Sequence, residues 1–157
     1  MSRINRQLIA LNILTLTIAL AFAGCNRKTV FSHYAHTDIE HWANTDTVCF
    51  DIPVCNGGRF AETIGLRAVI SYPYQSITLC IEQSAQQGIS LTDTATIEIY
   101  NQKGRPTGKS LDRRQYEIPL RHIDILDNDT LHVKIHHIMS DAELQGVTDV
   151  GFRLEQL

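Results

Sequence analysis

Alternation with a period of two constrains this chain more than any other feature. Ala95, Ile97 and Ile99 interleave with Thr96, Glu98 and Tyr100, and Leu131, Val133 and Ile135 interleave with His132, Lys134 and His136. Such a pattern puts one side of an extended segment against a core and the other in water. Further β-rich segments run over 47–52, 65–70, 76–82 and 147–154, with Val150, Phe152 and Leu154 on one face. The segment 116–125 contains Pro119 and predicts two short strands or a broken edge strand, because proline cannot donate to a central ladder. Seven or eight short strands separated by turn residues predict an all-β fold, an antiparallel β-sandwich of Ig-like or jelly-roll type. A short helix is expected over 140–145, where Ser140 and Glu143 form a capping box and Gly146 stops it. Asp127, Asn128 and Asp129 read as a hairpin turn, since the spacing of a calcium loop is missing.

The start of the chain has a different character. Arg3 and Arg6 precede an apolar run from Leu8 to Ala23, and Leu20-Ala21-Phe22-Ala23-Gly24 leads to Cys25. The run has 16 residues, against roughly 20 for a membrane span, and ends in small residues, as a processed signal does. Residues 1–24 are therefore expected to be a signal peptide and Cys25 the acylated first residue of a bacterial lipoprotein. Residues 25–45 read as a lipidated N-terminus and tether, and 46–157 as the sandwich domain. The formal net charge of −3 becomes −5 once Arg3 and Arg6 leave with the signal. An acidic chain of this kind argues against nucleic acid and supplies no general attraction to an anionic bilayer, so the lipid has to hold it there.

Cys49, Cys55 and Cys80 follow Cys25. If 49–55 is extended, Cys49 and Cys55 are too far apart to be bridged. Cys49 with Cys80 is geometrically easier, and three small buried thiols are the alternative. His33, His36 and His41, with Asp38 and Glu40, lie in the expected tether, which lacks the surroundings that fix metal ligands. His132 and His136 share a face of a strand but stand about 13 Å apart, too far for one metal, and His137 is expected inside, donating to a backbone carbonyl. No metal site, cofactor or enzyme motif is read from the chain: no serine sits in a G-x-S-x-G turn, and the carboxylates are scattered. The loop from Asn101 to Arg114 holds five of the mature chain's twelve basic residues. Within it, Lys103, Arg105 and Lys109 are candidates for contact with an anionic partner surface.

Several segments resemble one known family in order. They are Asp46-Thr47-Val48, then Leu66-Arg67 with Tyr72-Pro73-Tyr74, then Gly104-Arg105 with Gly108, then His137-x-Met139, and finally Gly146-Val147-Thr148-Asp149-Val150-Gly151-Phe152-Arg153-Leu154-Glu155. Together with the lipoprotein signal they are similar to the gliding-motility lipoprotein GldH family. The chain departs from the family's pattern at Pro106-Thr107 and at Ser140. The resemblance implies a lipoprotein of the Bacteroidetes outer membrane or periplasm. It would be a non-enzymatic accessory of a gliding and secretion machinery, with other envelope proteins as partners. A glycan- or peptidoglycan-binding envelope lipoprotein is the alternative, with Trp42 the only tryptophan available to it. Arg67, Tyr72, Tyr74, His137, Asp149 and Arg153 match the family and are expected to maintain the fold, with Arg67 a cross-strand partner for Asp149. Gly151 beside Phe152 points to a bulge or a close backbone approach. Thr47, Thr94 and Thr130 each follow Asp and precede an apolar residue, which resembles the O-glycosylation acceptor of exported proteins in that phylum. The same pattern also begins strands after turns. Asn26-Arg27-Lys28-Thr29-Val30 lacks an acidic run that would resemble a surface-export signal, so the periplasmic face of the outer membrane is expected.

Overall fold

The computed structural model describes residues 28–109 and 113–157; the signal segment 1–24 and Cys25 lie outside them. Ten strands follow in chain order: β1 (Lys28–His36), β2 (Trp42–Ala43), β3 (Val48–Val54), β4 (Gly58–Val69), β5 (Ser76–Ser84), β6 (Ser90–Glu98), β7 (Arg113–Ile125), β8 (Asp129–His137), β9 (Glu143–Leu144) and β10 (Val147–Gln156). One four-stranded sheet has the order β1-β10-β4-β7, the other β3-β8-β5-β6, and β2 pairs with β9 at one end. All pairings are antiparallel. The β-sandwich read from the alternation is the fold observed.

Period two explains which side chains meet between the sheets. From the first sheet come Phe60, Ile64 and Leu66 of β4 and Val150, Phe152 and Leu154 of β10; from the second come Phe50, Ile52, Leu79, Ile81, Val133 and Ile135. Phe50 is the aromatic bridge across the gap, with ring centroids 5.7 Å from Phe31 and 6.3 Å from Phe152. A buried side chain of this size is worth about 1.5–3 kcal/mol over its exposed state, so this layer outweighs any surface ion pair.

Four expectations are corrected. Residues 28–36 form not a tether but a full edge strand, in register with β10 from Lys28↔Gln156 to His36↔Asp149. The physical reason is that Phe31 and Ala35 pack against the core, which gives a polar-looking segment one side to bury. Residues 37–45 also belong to the body, because Trp42 is buried and donates from Nε1 to the carbonyl of Asp46 at 3.0 Å. Removing a buried aromatic side chain costs about 3–5 kcal/mol, whereas the exposed His41–Glu143 pair nearby belongs to a class worth about 0–1 kcal/mol. Trp42 is thus what docks this segment.

The expected helix over 140–145 is absent. Leu144 is buried and pairs with Trp42 across β2 and β9. Gly146, at φ +90°, turns the chain into β10, a conformation glycine adopts without penalty. Residues 127–129 do not close a hairpin, because β7 and β8 belong to different sheets. Asn128, in the left-handed region at φ 55°, carries the chain from one layer to the other. Cys49 and Cys80 are free, as is Cys55. Strand β8 lies between β3 and β5, so Cys49 and Cys80 face Lys134 and His136 across it rather than each other. Nor are the thiols buried: Cys49 and Cys55 are exposed and Cys80 is half-buried.

Pro119 sits where its missing N–H costs least, on β7, the edge strand of the first sheet. The register shifts just beyond it, from Thr63↔Pro119 to Ala61↔His122, so the expected break is a bulge within one strand.

The strands alternate in direction, which sorts the connections to two ends. One end, the base, holds the start of β1, the end of β10 and the turns 55–57, 85–89 and 126–128. Asp129 organises it by accepting hydrogen bonds from the backbone of Gln86, Gln87 and Thr130 at 3.1, 3.0 and 2.7 Å. Burial pulls that carboxyl up, but the three backbone donors outweigh it and hold it below its ordinary range. The other end, the crown, gathers 37–47, 70–75, 99–109 and 138–146.

Candidate functional site

Two regions collect the residues singled out by the sequence. The first is the outer face of the sheet β1-β10-β4-β7. Tyr34, Gly151, Gly65 and Glu117 stand in one row across its four strands. The Tyr34 ring lies flat over both glycines. A Cβ on Gly151 would meet ring carbon Cε1 at 2.6 Å, and one on Gly65 would meet the phenol oxygen closer still. Close approach is therefore the role of Gly151. The Arg67 guanidinium covers the same ring at 4.0 Å from its centroid, a cation–π contact, and its Nε donates to Gln115 at 3.2 Å. Arg153 donates to Glu117 at 2.9 Å. Burial, followed by the Glu117 carboxylate, pushes the Tyr34 hydroxyl up, while Arg67 and Arg153 pull it down.

Asp149 and Arg67 are direct register partners, as expected. Their side chains are engaged elsewhere, however. Asp149 is buried, accepts from Thr148 Oγ1 at 2.7 Å and has His36 Nδ1 2.5 Å away, while Arg67 turns to Tyr34 and Gln115. The sequence reading missed Tyr34, and with it the reason for both glycines, because it lies in the segment taken for a tether.

The second region is the crown. Tyr72 is buried with its ring 5.5 Å from that of Tyr74, and Tyr74 donates to Asp141. Burial pushes the Tyr72 hydroxyl far up. The hydroxyl of Tyr100 ties the 70–72 turn by donating to the carbonyls of Ile70 and Tyr72 at 2.6 and 3.1 Å. His137 is fully buried and donates from Nε2 to the carbonyl of Trp42 at 3.0 Å, the role read from its alternation. Burial pulls its pKa down, against the effect of that bond.

The basic loop also stands on the crown. Asn101 Oδ1 accepts from the backbone of Lys103 and Arg105 at 2.9 and 3.0 Å, and Gly104 turns at φ +67°. The loop is therefore built, while the side chains of Lys103, Arg105 and Lys109 are exposed. Beside it, the edges of β6 and β7 leave an open groove of about 720 Å³ lined by Ile97, Glu98, Thr107, Lys109, Tyr116 and Glu117, among others.

The acceptor-like threonines separate by exposure. Thr47 and Thr94 are exposed and Thr130 is half-buried. The aspartates before Thr94 and Thr130 are engaged, Asp93 with Arg121 and Asp129 with the base turn. Groups of His, Cys, Asp and Glu able to hold a metal do not occur among the described residues. His132 Nδ1 instead lies 2.6 Å from Asp51 Oδ1.

One buried polar pair lies inside the sandwich. Gln83 Nε2 donates to Glu62 Oε1 at 2.7 Å across the two sheets, and the other carboxyl oxygen has no partner among the described residues. Burial pushes the Glu62 carboxyl up to about 7.

The chain is 27% identical over 153 residues to the gliding motility lipoprotein GldH of Flavobacterium johnsoniae, covering 92% of this chain and 94% of that one. It is 25% identical over 161 aligned positions to a GldH homolog of Christiangramia forsetii, covering 96% and 98%. Likeness to solved structures is low. An Eiger TNF from S. frugiperda gives a TM-score of 0.41 at 8% identity, over 83% of this chain and 89% of that one. A family 35 carbohydrate binding module from Clostridium thermocellum gives 0.39 at 7%, over 80% and 95%. The family model described as GldH lipoprotein matches residues 29–154, nearly the whole folded body from β1 to β10, and the chain belongs to that family.

Proposed function

We propose that this protein is a lipoprotein anchored through Cys25 to the periplasmic face of the outer membrane. There it serves as a non-enzymatic accessory of a gliding or secretion-type envelope machinery and holds protein partners through its crown. The observation that carries this reading is the extent of the family match: it spans 29–154, so the likeness concerns one folded body and not a shared fragment. Two relatives that match over more than nine-tenths of their length bear the name gliding motility lipoprotein GldH or GldH homolog. Membrane attachment is supported by the signal-like segment ending at Cys25. The crown is the favoured partner surface because the exposed cations Lys103, Arg105 and Lys109 sit on a loop already ordered by Asn101, so little entropy is lost on binding. The non-enzymatic part rests on the sequence, where no nucleophile and base are set out by motif.

The glycan-binding alternative draws no support from Trp42, whose indole is 2% exposed and occupied in docking the 37–45 segment. Affinity purification of the lipidated protein from its native envelope tests the reading. Recovery of one or more envelope proteins is expected; recovery of none, with retention on peptidoglycan or glycan resin, contradicts it.

A further inference from the structure

We propose that the base of the sandwich rests directly on the bilayer, with Leu126 and Val30 at its surface and the crown pointing away. This orientation rests on the reading of Cys25 as the lipidated residue. Two residues, Asn26 and Arg27, separate Cys25 from Lys28, and a chain spans at most about 3.3–3.6 Å per residue step, so over three steps Lys28 lies within roughly 11 Å of the acylated cysteine. Lys28 is already in the sheet, opposite Gln156. The lipid therefore holds the rigid body itself, at its base.

Two poses remain open to a body held so closely: upright on the base, or lying along the β1 edge. The exposed side chains distinguish them. Leu126 is 56% exposed and Leu157 50%, and both belong to the base, as does Val30 at 37%. Beyond Val30 the exposed positions of β1 are Ser32, His33 and His36, so the edge offers a bilayer nothing apolar. The base is not a basic patch: Arg59 stands opposite Asp124 in register, and the surface is suited to a neutral headgroup layer entered by aliphatic side chains. Strand β4 runs 12 residues from base to crown, about 40 Å at the rise of a strand. The upright pose thus carries the basic loop and the exposed Ile39, Ile70 and Ile138 of the crown well clear of the membrane, where a protein partner can reach them.

Two exposed native cysteines report the pose. Cys55 lies in a base turn and Cys49 six residues back along β3, about 20 Å higher. The lipidated full chain is reconstituted in phosphatidylcholine vesicles containing nitroxide-labelled lipid. An environment-sensitive fluorophore is placed on Cys55 in a Cys49→Ser, Cys80→Ser protein, or on Cys49 in a Cys55→Ser, Cys80→Ser protein. Several-fold stronger quenching and a blue shift are expected at Cys55, with partial loss of both on Leu126→Asp while the protein still floats with the vesicles. A protein that floats but shows equal quenching at the two sites, or more at Cys49, overturns the orientation and leaves the anchor standing. A protein that does not float overturns the anchor reading and the orientation with it.

Discussion

Tyr34 covers Gly151, its register partner across β1 and β10, so closely that a single added Cβ would stand 2.6 Å from the ring. The relationship gives the edge strand β1 a reason to stay in place. An edge strand has hydrogen bonds on one side only, and here a ring laid over two glycines and capped by Arg67 at 4.0 Å adds a lock on the outer face.

Gly151→Ala and Gly65→Ala should each destabilise the fold by about 1–3 kcal/mol, the usual cost of overpacking. Alanine ordinarily gains over glycine within a strand, by about 0.5–1 kcal/mol, so the sign of the effect is itself diagnostic. In a Tyr34→Ala background the cost should shrink or reverse, a non-additivity that urea denaturation of the double mutants measures directly.

Glu62 sets a pH dependence. The folded carboxyl keeps its proton to about pH 7, while the unfolded chain releases it near 4.5. Between these values the folded state binds more protons, so its stabilisation is full below 4.5 and is lost as the pH rises through 7. The loss is on the order of 3 kcal/mol from a shift of this size. Glu62→Gln should abolish that slope. His137 acts in the opposite sense: burial holds its pKa below the ordinary 6.5, so its contribution is present above that value and lost as the pH falls below it. Thermal melts of wild type and Glu62→Gln from pH 4.5 to 8 check both, with the variant retaining only the acid-side loss.

Much of the fold could be read because the second sheet alternates cleanly. Thr94–Glu98 and Leu131–His136 each bury one face and wet the other, and both are strands. Reading failed where a strand buries few apolar side chains or where partners are remote in sequence. In β1 only Phe31 and Ala35 pack against the core, and the outward Tyr34 is stabilised by Gly65 and Gly151, more than thirty and more than a hundred residues away. The 140–145 segment carried local helix signals, but Leu144 and Trp42 prefer to bury together as a two-strand pair. Of the candidate site, the basic loop was legible from charge alone. Its place on the crown, joined through Tyr100 to the 70–72 turn and opposite the start of β1, follows only from the alternation of strand directions.

Lys103→Glu combined with Arg105→Glu should lower recovery of envelope partners in affinity purification by about tenfold or more, the scale of losing one or two charge-assisted contacts. Stability should be unchanged within about 0.5 kcal/mol, because both side chains are exposed and surface changes of this kind are nearly neutral.

Modification of the threonines is expected at Thr47 and Thr94, which are exposed, before Thr130, which is half-buried beside the Asp129 clip. The intact mass of the native protein should exceed that of the lipidated polypeptide, and the excess should fall in Thr47→Ala and Thr94→Ala. A mass equal to the lipidated polypeptide alone rejects the modification.

The most direct measurement replaces the native copy by Cys25→Ser and follows both location and function. The expected result is a folded sandwich released from the membrane fraction that fails to restore whatever deletion of the protein removes. A soluble Cys25→Ser protein that restores that function in full would contradict the account, because the body would then work without being held at the membrane.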